Sequence, residues 1–313
     1  MLAVDGNSLT HRAWWGYAER RNTDPVTAGL YGLLALMAGV ADIVRADRVV
    51  IGFDCRQRSV RKEAFAPYKA GRSEKPEGLD RLLDAAPEFL AANDGLAGHV
   101  VVHPGWEADD VCGSTAKAAA NAGMNCVIAT SDKDAFGLVT PTTRVLRMKS
   151  GLHAAELLDA EGIKRTTGVA PDQYTDYAAL RGDKSDNLNG VPGIGKKTAV
   201  TLLAAFPSIE QAVADPIRCR SVIGRKRADD LIDDWESSDS LTRRNQRLMT
   251  IRDDIPIDLD AARPTADPYT VEQSLRDAGL GKLVSRLLLV FAQPQPTLLD
   301  QAPPLTDADA PWA

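Results

Sequence analysis

Two aspartates and a glycine-rich turn lie within one short stretch of the chain, residues 182–199. Asp183 and Asp186 are three residues apart, a spacing that places both carboxylates on one face of a helical turn. Carboxylate oxygens in such an arrangement suit a divalent cation. The stretch is therefore predicted to supply two ligands of a metal site.

Directly after this pair, glycines surround a proline and two lysines open a predicted helix. Glycine adopts positive φ without a Cβ clash, and the unpaired N–H groups at a helix N-terminus bind phosphate. The pattern predicts a helix-hairpin-helix turn that holds a nucleic-acid backbone. The residues predicted to make this contact are Gly193, Gly195, Lys196 and Lys197.

The same residues overlap the pattern of a nucleotide-binding P-loop, which reads G-x-x-x-x-G-K-[ST] and begins here at Gly190. That motif needs Ser or Thr after the lysine to reach magnesium, and Lys197 stands at that position. The preceding residues are rich in Asp and Asn, whereas a P-loop follows an apolar strand. These departures favour the helix-hairpin-helix interpretation.

Further carboxylates follow apolar segments that read as strands. Strands predicted at 2–5, 49–54, 99–103 and 125–130 alternate with helical patterns, which is typical of a parallel α/β sheet. Ligands of such sheets bind beyond the carboxyl ends of the strands. The carboxylates at or soon after these ends are Asp5, Asp54, Glu107, Asp109, Asp110, Asp132 and Asp134.

With Asp183 and Asp186, these carboxylates form a set that has only oxygen donors. Many like charges share one site only if they protonate or bind cations. The cysteines and histidines show none of the spacings of a zinc site. Oxygen ligands select Mg²⁺ or Mn²⁺, and two such ions about 3.5–4 Å apart would activate a water and stabilise the leaving oxygen of a phosphodiester.

Positive charge is concentrated in residues 56–75, although the net charge of the chain is −6. This basic segment contains seven Lys and Arg against two Glu, with Phe65 and Tyr68 among them. Basic residues interleaved with aromatic ones are typical of nucleic-acid binding. The candidate contacts are Arg56, Arg58, Arg61, Lys62, Tyr68, Lys69 and Arg72, together with Arg12 in the first predicted helix.

The remaining sequence sets the expected organisation. The 313 residues are 44% hydrophobic, which suits a globular chain with a substantial core. We expect a core helix at 28–46, a fifth, edge strand at 143–148, and helices from residue 154 onwards, including 220–237 and 270–291. Residues 293–313 are rich in Pro, Ala and Asp and are expected to be disordered.

The predicted location of the chain is cytoplasmic. No apolar run looks long enough to span a membrane, and no signal peptide is apparent. The four cysteines form no CxxC pair and read as reduced thiols in or near the core.

Taken together, the motifs resemble the bacterial 5′ nuclease family. These flap endonucleases and 5′-to-3′ exonucleases occur as free-standing proteins and as the N-terminal domain of DNA polymerase I. The resemblance runs from Leu2 to about Phe291. It rests on the segments 4–7, 53–54, 61–72, 105–110, 131–134 and 182–195. The departures, which remove no carboxylate, are Lys62 for the usual His, Trp14-Trp15 for smaller aromatics, and Asn189 for Pro.

The resemblance implies a PIN-like parallel sheet domain over residues 1–170, with a basic arch or clamp at 55–92. A helix-three-turn-helix region and a packing C-terminal helix would follow over 171–292. Because the chain stops at residue 313, we expect a stand-alone, monomeric nuclease.

The resemblance also implies roles for the site residues. It implies two or three divalent ions, with a K⁺ at the hairpin turn. One ion would lie near Asp5, Asp54, Glu107 and Asp109, and another near Asp132, Asp134, Asp183 and Asp186, with Asp110 between them or in an outer shell. Tyr68 would stack on a base near the scissile phosphate. The residues contacting phosphate would be Arg61, Lys69 and Arg72.

The predicted function is a structure-specific 5′ nuclease that acts on DNA with 5′ flaps, nicks or gaps, with RNA–DNA hybrid as a further candidate substrate. The alternative from another class is a flap- or gap-binding module that does not cut. A PIN-type ribonuclease fits the sheet but not the hairpin turn. A haloacid-dehalogenase phosphatase needs Asp-x-Asp, which Asp5-Gly6-Asn7 does not supply. Residues 295–299 loosely resemble peptides that bind the sliding clamp. The alternative is a disordered tail that binds no partner.

Overall fold

A six-stranded sheet lies at the centre of the N-terminal half. The computed structural model describes residues 1–19, 24–93, 98–149, 151–265 and 267–291. The strands of the sheet are β1 (Leu2–Asp5), β2 (Val49–Phe53), β3 (His99–Val102), β4 (Cys126–Thr130), β5 (Thr143–Arg147) and β6 (Glu156–Leu158). Their order is β3-β2-β1-β4-β5-β6, and every neighbouring pair is parallel except β5 with β6. The predicted parallel sheet is therefore confirmed.

One edge of the sheet differs from the prediction. Strand β5 was expected at the edge, but β6 pairs with it in antiparallel register, with Leu146 opposite Leu157. Residues 156–158 were expected to be helical. A strand of three residues is too short to show the alternation of apolar and polar residues from which a strand is recognised.

Helices cover both faces of the sheet and form the C-terminal half. Those of the first half are α1 (Gly6–Ala13), α2 (Pro25–Val44), α3 (Val60–Ala64), α4 (Glu77–Ala92), α5 (Ala108–Asn121) and α6 (Ala160–Thr167). The second half contains α7 (Tyr174–Arg181), α8 (Lys196–Ala205), α9 (Ile209–Ala214), α10 (Pro216–Ile223), α11 (Arg225–Glu236), α12 (Leu241–Met249), α13 (Pro268–Asp277) and α14 (Val284–Phe291).

Two apolar clusters pack against opposite faces of the sheet. Leu2 and Val4 of β1 point into a cluster with α1, α2, α4, α13 and α14. Ala3 of the same strand points into a second cluster, with α5 and most of the helices from α6 to α11. This alternation along β1 follows from the two-residue period of a strand. A strand buried on both faces is apolar throughout, which explains its sequence.

Helix α2 corrects the expectation about membrane-length segments. It is 20 residues long and apolar enough to cross a membrane by length and composition. Most of it is buried in the protein, where Leu33 and Leu34 are fully enclosed. A core helix meets the same length and composition criteria, so its burial here is the more informative observation.

The C-terminal helices are more interrupted than predicted. The expected helix at 220–237 is two helices, separated at Gly224, where φ is +86°. The expected helix at 270–291 breaks similarly near Gly279, where φ is +74°. Helix α12 lies in the region expected to be helical, although no separate helix was assigned to it. The predicted disorder of residues 293–313 and the clamp-like segment 295–299 lie outside the described residues.

Two features bring the carboxyl ends of the strands together with the helices that follow. A Cβ on Gly52 in β2 would lie 2.7 Å from Val111 and 2.8 Å from the carbonyl oxygen of Ala108, so glycine allows α5 to pack tightly on the strand. Asp5 caps α1 by accepting a hydrogen bond from the Ser8 N–H. Both contacts place carboxylates at one edge of the sheet.

Candidate functional site

A cleft of about 1150 Å³ opens at the carboxyl ends of β1, β2 and β4. Among the described residues, seven of the nine predicted carboxylates line it. They are Asp5, Asp54, Glu107, Asp109, Asp132, Asp134 and Asp183. The two others, Asp110 and Asp186, are buried and bonded to arginines.

Asp5 and Asp54 end neighbouring strands and are held by fixed hydrogen bonds. Asp5 accepts from the Ser8 N–H at 2.8 Å and from the Thr130 hydroxyl at 2.7 Å. Asp54 accepts from the Ala108 N–H at 2.8 Å, at the start of α5. Burial raises the pKa of Asp5 to about 7, and burial with the nearby Glu107 charge also raises the pKa of Asp54.

Glu107 and Asp109 lie at the N-terminal end of α5. Glu107 accepts hydrogen bonds from Lys69 Nζ at 2.9 Å and from the Tyr68 hydroxyl at 3.2 Å. The buried Asp109 Oδ1 accepts no hydrogen bond from any described residue, and it lies 3.9 Å from Arg61 Nη1. Burial raises the pKa of Asp109 well above its usual range. Asp109 thus combines a place in the cleft lining with a buried carboxylate oxygen that has no hydrogen-bond donor among the described residues.

Asp132 and Asp134 follow β4 in a tight turn. The Asp134 N–H donates to Asp132 Oδ1 at 3.1 Å. The pKa of Asp134 rises to about 8, first because of burial and then because of the negative charges of Asp132, Asp186 and Asp183. The turn therefore directs two carboxylates toward the hairpin that carries Asp183.

The stretch with Asp183 and Asp186 is a hairpin and not the predicted helical turn. It consists of β7 (Gly182–Asp183) and β8 (Leu188–Asn189), paired antiparallel. A Cβ on Gly182, where φ is +68°, would lie 2.3 Å from the Leu188 carbonyl oxygen. Glycine thus permits a close approach of the two backbones that a three-residue spacing does not reveal.

The basic segment 56–75 packs on this hairpin beside the cleft. Arg72 Nη2 donates to Asp186 Oδ1 at 2.6 Å, and the Lys69 N–H donates to the Asp186 carbonyl at 2.9 Å. Tyr68 is buried in a small cluster with Leu188 and Leu248. Lys69 and Arg72 line the cleft. A buried Tyr68 does not present its ring to a base in this structure, contrary to the predicted stacking.

Arg61 was predicted to contact phosphate, but in this structure its side chain is buried beside Asp110. Its side chain is 6% exposed, and its two terminal nitrogens donate to Asp110 at 2.6 and 2.8 Å. Nε donates to the Leu248 carbonyl at 2.8 Å. Asp110 also accepts from the N–H groups of Glu107 and Arg252. In this structure the two side chains are bonded to each other and to the backbone, and little of Arg61 is exposed to receive a phosphate.

The other predicted DNA contacts divide between the cleft and the outer surface. Arg12 lines the cleft, where it donates to Ser131 Oγ at 3.0 Å and to the Lys149 carbonyl. Arg56 pairs with Asp80 at 2.7 Å and Asp84 at 2.8 Å of α4, and Arg58 pairs with Glu63 at 2.7 Å. Lys62 is exposed on α3. Helix α4, the second half of the predicted arch, packs into the core.

Sequence reasoning missed several cations of the cleft. They are Lys133, Lys149, Arg181 and Lys184. Lys75, which also lines the cleft, belongs to the predicted basic segment but was not among its candidate contacts. Lys133 and Lys184 are adjacent in sequence to predicted ligands, so proximity along the chain could have identified them. Lys149 and Arg181 are not adjacent to any predicted ligand in the sequence, and only the tertiary structure places them in the cleft.

The glycine-rich turn precedes α8, as predicted. Gly193 has φ of +78°, and Gly195 is the N-cap residue of α8. Within the described chain no side chain caps this helix, and Lys196 and Lys197 are exposed in its first turn. The free N–H groups at such an end attract anions.

The donor set suits a hard divalent cation. Its ligating atoms are carboxylate oxygens, several with pKa values raised first by burial and then by the negative charges of neighbouring carboxylates. Across the described residues, no group of three His, Cys, Asp or Glu side chains already meets at ligand distances. The carboxylates surround a space, and their side chains would have to move closer together to coordinate a cation.

Comparison with known proteins gives two family matches. Residues 1–168 match the 5′-3′ exonuclease N-terminal resolvase-like domain, and residues 169–272 match the 5′-3′ exonuclease C-terminal SAM fold. DNA polymerase I of Thermus aquaticus is 34% identical over 311 residues, which cover 97% of this chain and 34% of that protein. The Bacillus subtilis polymerase is 30% identical over 291 residues, covering 92% of this chain and 32% of that protein. The chain thus spans about a third of the length of these relatives.

Solved structures show the same fold. The T5 D15 protein crystallised with metal ions has a TM-score of 0.62 and 19% identity, covering 92% of this chain and 98% of that one. Human GEN1 in complex with Holliday junction DNA has a TM-score of 0.61 and 16% identity, covering 93% and 71% respectively. The two family matches and the polymerase relatives place the chain in the 5′-3′ exonuclease family.

Proposed function

We propose that this chain is a divalent-metal-dependent 5′ nuclease that hydrolyses phosphodiesters of DNA at 5′ ends and 5′ flaps. The observation that carries the proposal is the cleft, in which seven carboxylates face eight Lys and Arg side chains among the described residues. Carboxylates alone would repel DNA, whereas this mixture can hold cations and phosphates together. The T5 D15 protein was solved with metal ions, and GEN1 with DNA, which supports both halves of the proposal.

The proposed metal is Mg²⁺ or Mn²⁺, because the donors are carboxylate oxygens. Two such ions, when bound, would activate a water and stabilise the leaving oxygen. Asp5, Asp54, Glu107 and Asp109 would hold one ion, and Asp132, Asp134 and Asp183 the other. Besides burial, the Glu107 charge raises the pKa of Asp54, and the charges of Asp132 and Asp183 raise the pKa of Asp134, which supports this division. The Asp132 charge also raises the pKa of Asp5, so the two groups adjoin.

The cations of the basic segment would position the phosphate. Lys69 lies 2.9 Å from Glu107 and Arg72 lies 2.6 Å from Asp186, so both stand at the wall of the carboxylate cleft. From there they can place positive charge beside a phosphate that enters the cleft, where charge develops during cleavage. In this proposal Arg61 and Asp110 hold the wall in place and do not contact the substrate.

The test uses a 5′-flap duplex labelled at its 5′ end, with matched nicked, gapped and RNA–DNA hybrid substrates. Each is incubated with Mg²⁺, Mn²⁺ or EDTA. Metal-dependent release of product supports the nuclease, and the product lengths separate flap cutting from stepwise digestion. Binding of the flap without cleavage in either metal would overturn the proposal in favour of a DNA-binding module.

The turn before α8 is proposed to bind the duplex at a point outside the cleft. A K⁺ would bind the backbone carbonyls of this turn. Lys196→Ala and Lys197→Ala are each expected to weaken binding to all DNA sequences alike. Each should reduce the slope of log affinity against log salt concentration by about 1, as expected for one lost phosphate contact. Titrations by fluorescence anisotropy at several salt concentrations measure this slope.

A matched control for these lysines is Lys164→Ala, which removes an exposed lysine from the last turn of α6. It is expected to leave the slope unchanged. Repeating the titration in NaCl and in KCl tests the proposed cation. A slope that stays the same in the Lys196 and Lys197 variants would place the DNA elsewhere.

Stability without metal should fall as pH rises from 6 to 8.5. Asp5 and Asp134 have folded-state pKa values of about 7 and about 8, above the ordinary value near 3.8. The folded state therefore binds more protons than the unfolded state, so its stability is lost as these groups ionise. A divalent cation binds the ionised carboxylates, so its stabilising effect should increase over the same pH range.

Thermal unfolding with EDTA or Mn²⁺ at each pH checks this expectation. Asp134→Asn is the matched variant, since its amide resembles the protonated acid. It should flatten the pH dependence in EDTA and reduce the stabilisation by Mn²⁺. Equal stabilisation by Mn²⁺ at pH 6 and pH 8.5 would contradict the expectation.

A further inference from the structure

Two consecutive tryptophans have opposite environments. Trp14 is 6% exposed and belongs to the core cluster beneath α2 and α4. Trp15 is 46% exposed and lines the carboxylate cleft. A packing role accounts for Trp14. It does not account for a large aromatic ring presented to the substrate cleft.

The backbone that carries Trp15 is also unusual. Residues Trp14–Ala18 form a π-helical turn directly after α1. Such turns are rare in proteins and occur frequently at functional sites. The next residue, Gly16, also lines the cleft, and a Cβ added to it would meet no atom within 4 Å. Open space therefore lies beside Trp15 on the cleft side.

The cleft that Trp15 lines also carries positive charge. Arg12 and Lys149 line the same cleft, and Arg12 is fixed by its hydrogen bonds to Ser131 and to the Lys149 carbonyl. His11, another lining residue, has its pKa lowered to about 4 by burial and by the charges of Lys75 and Arg72, so it is neutral near pH 7. A flat apolar ring beside fixed cations matches a nucleobase with its phosphates.

We propose that Trp15 is a stacking platform for an unpaired nucleobase of DNA whose phosphates enter the cleft. The inference rests on the proposed nuclease function and adds to it the recognition of an unpaired nucleotide. Every base has a π-face, so stacking of this kind selects unpaired nucleotides and not a particular sequence. In duplex DNA the faces are already stacked, so a paired base gains little from the ring.

Other exposed apolar side chains do not share this position. Tyr269 is 70% exposed, and Ile217 is also exposed, but both lie on the helical surface away from the described lining of the cleft. Isolated exposed apolar residues are common on protein surfaces and need no partner. The cleft is what distinguishes Trp15, and Tyr269 provides a matched control.

The experiment compares Trp15→Ala, Trp15→Leu and Trp15→Phe with Tyr269→Ala and the wild type. A 5′-flap duplex carries 2-aminopurine, a fluorescent base, at one unpaired position at a time. Binding is measured in Ca²⁺, and cleavage in Mg²⁺. Thermal unfolding of each variant shows that the fold is retained.

The expected result is an increase of roughly 5- to 150-fold in the Kd and KM of Trp15→Ala for the flap substrate, the range that corresponds to one lost base–aromatic stack. Fluorescence quenching at one unpaired position should disappear with it, while kcat changes little. Trp15→Phe should retain most of the effect, because its ring still stacks, whereas Trp15→Leu should not. Tyr269→Ala, and fully paired duplex with any variant, should match the wild type.

Two results would overturn the inference: unchanged flap binding and quenching in Trp15→Ala, or an equal loss on fully paired duplex. The first, with wild-type cleavage intact, leaves the nuclease proposal standing. Conversely, Trp15-dependent quenching in a wild type that cuts nothing in Mg²⁺ or Mn²⁺ supports the stacking platform and rejects the nuclease. A wild type that binds no DNA rejects both.

Discussion

Asp132→Asn is expected to slow DNA cleavage by about 10³-fold or more while leaving the fold intact. Asp132 lines the cleft and is exposed, and its Oδ1 accepts a hydrogen bond only from the Asp134 N–H of its own turn among the described residues. The amide keeps the size of the side chain and removes its charge. A metal ion supplies several kcal/mol of stabilisation to charge that develops in the transition state, and each 1.36 kcal/mol is tenfold in rate. Single-turnover cleavage of a 5′-flap duplex in Mg²⁺ measures the loss.

Asp239→Asn is the matched control for this substitution. Asp239 is exposed in the α11–α12 connection, outside the described lining of the cleft. It should cleave like the wild type and melt at the same temperature. Asp132→Asn should melt no lower than the wild type in EDTA, because the side chain is exposed and its charge repels those of Asp134 and Asp5. If Asp132→Asn cleaves DNA at a rate within about tenfold of the wild type, Asp132 is not a ligand of the catalytic metal.

Arg61→Met is expected to destabilise the folded state by about 3–5 kcal/mol, the cost of leaving a buried charge without its partner. Asp110 is fully buried and receives two hydrogen bonds from Arg61, at 2.6 and 2.8 Å. Methionine fills much of the space of the arginine stem but leaves the carboxylate uncompensated. Equilibrium unfolding in urea, followed by circular dichroism, measures the free energy of unfolding.

Two further variants distinguish the contribution of the buried pair to stability from that of an exposed ion pair. Arg58→Met breaks the exposed pair with Glu63 and should change the free energy of unfolding far less than Arg61→Met, because solvent screens exposed charges. The double variant Arg61→Met with Asp110→Leu removes both charges of the hydrogen-bonded pair, so it should be more stable than Arg61→Met alone. An Arg61→Met protein as stable as Arg58→Met would show that the buried pair does not hold the cleft wall.

The sequence by itself determined the sheet, the set of carboxylates and the family. Each of these depends on local pattern. An apolar strand that ends on Asp5 or Asp54 is visible in a few residues, and parallel strands carry their ends to one edge by topology. The glycine-rich turn before α8 is likewise local, because positive φ at Gly193 is a property of one residue.

The roles of Arg61, Asp110 and Trp15 were decided by the tertiary structure. Arg61 lies in a segment that reads as basic and exposed, yet its partners are Asp110, 49 residues away, and the Leu248 carbonyl, 187 residues away. Trp14 and Trp15 are adjacent residues of the same type, so the sequence does not distinguish them. Only the packing of α1 against α2 and α4 buries Trp14 and leaves Trp15 exposed. Composition and spacing describe what a side chain is able to do. Which chemistry it performs depends on the partners and the solvent exposure that distant parts of the chain impose on it.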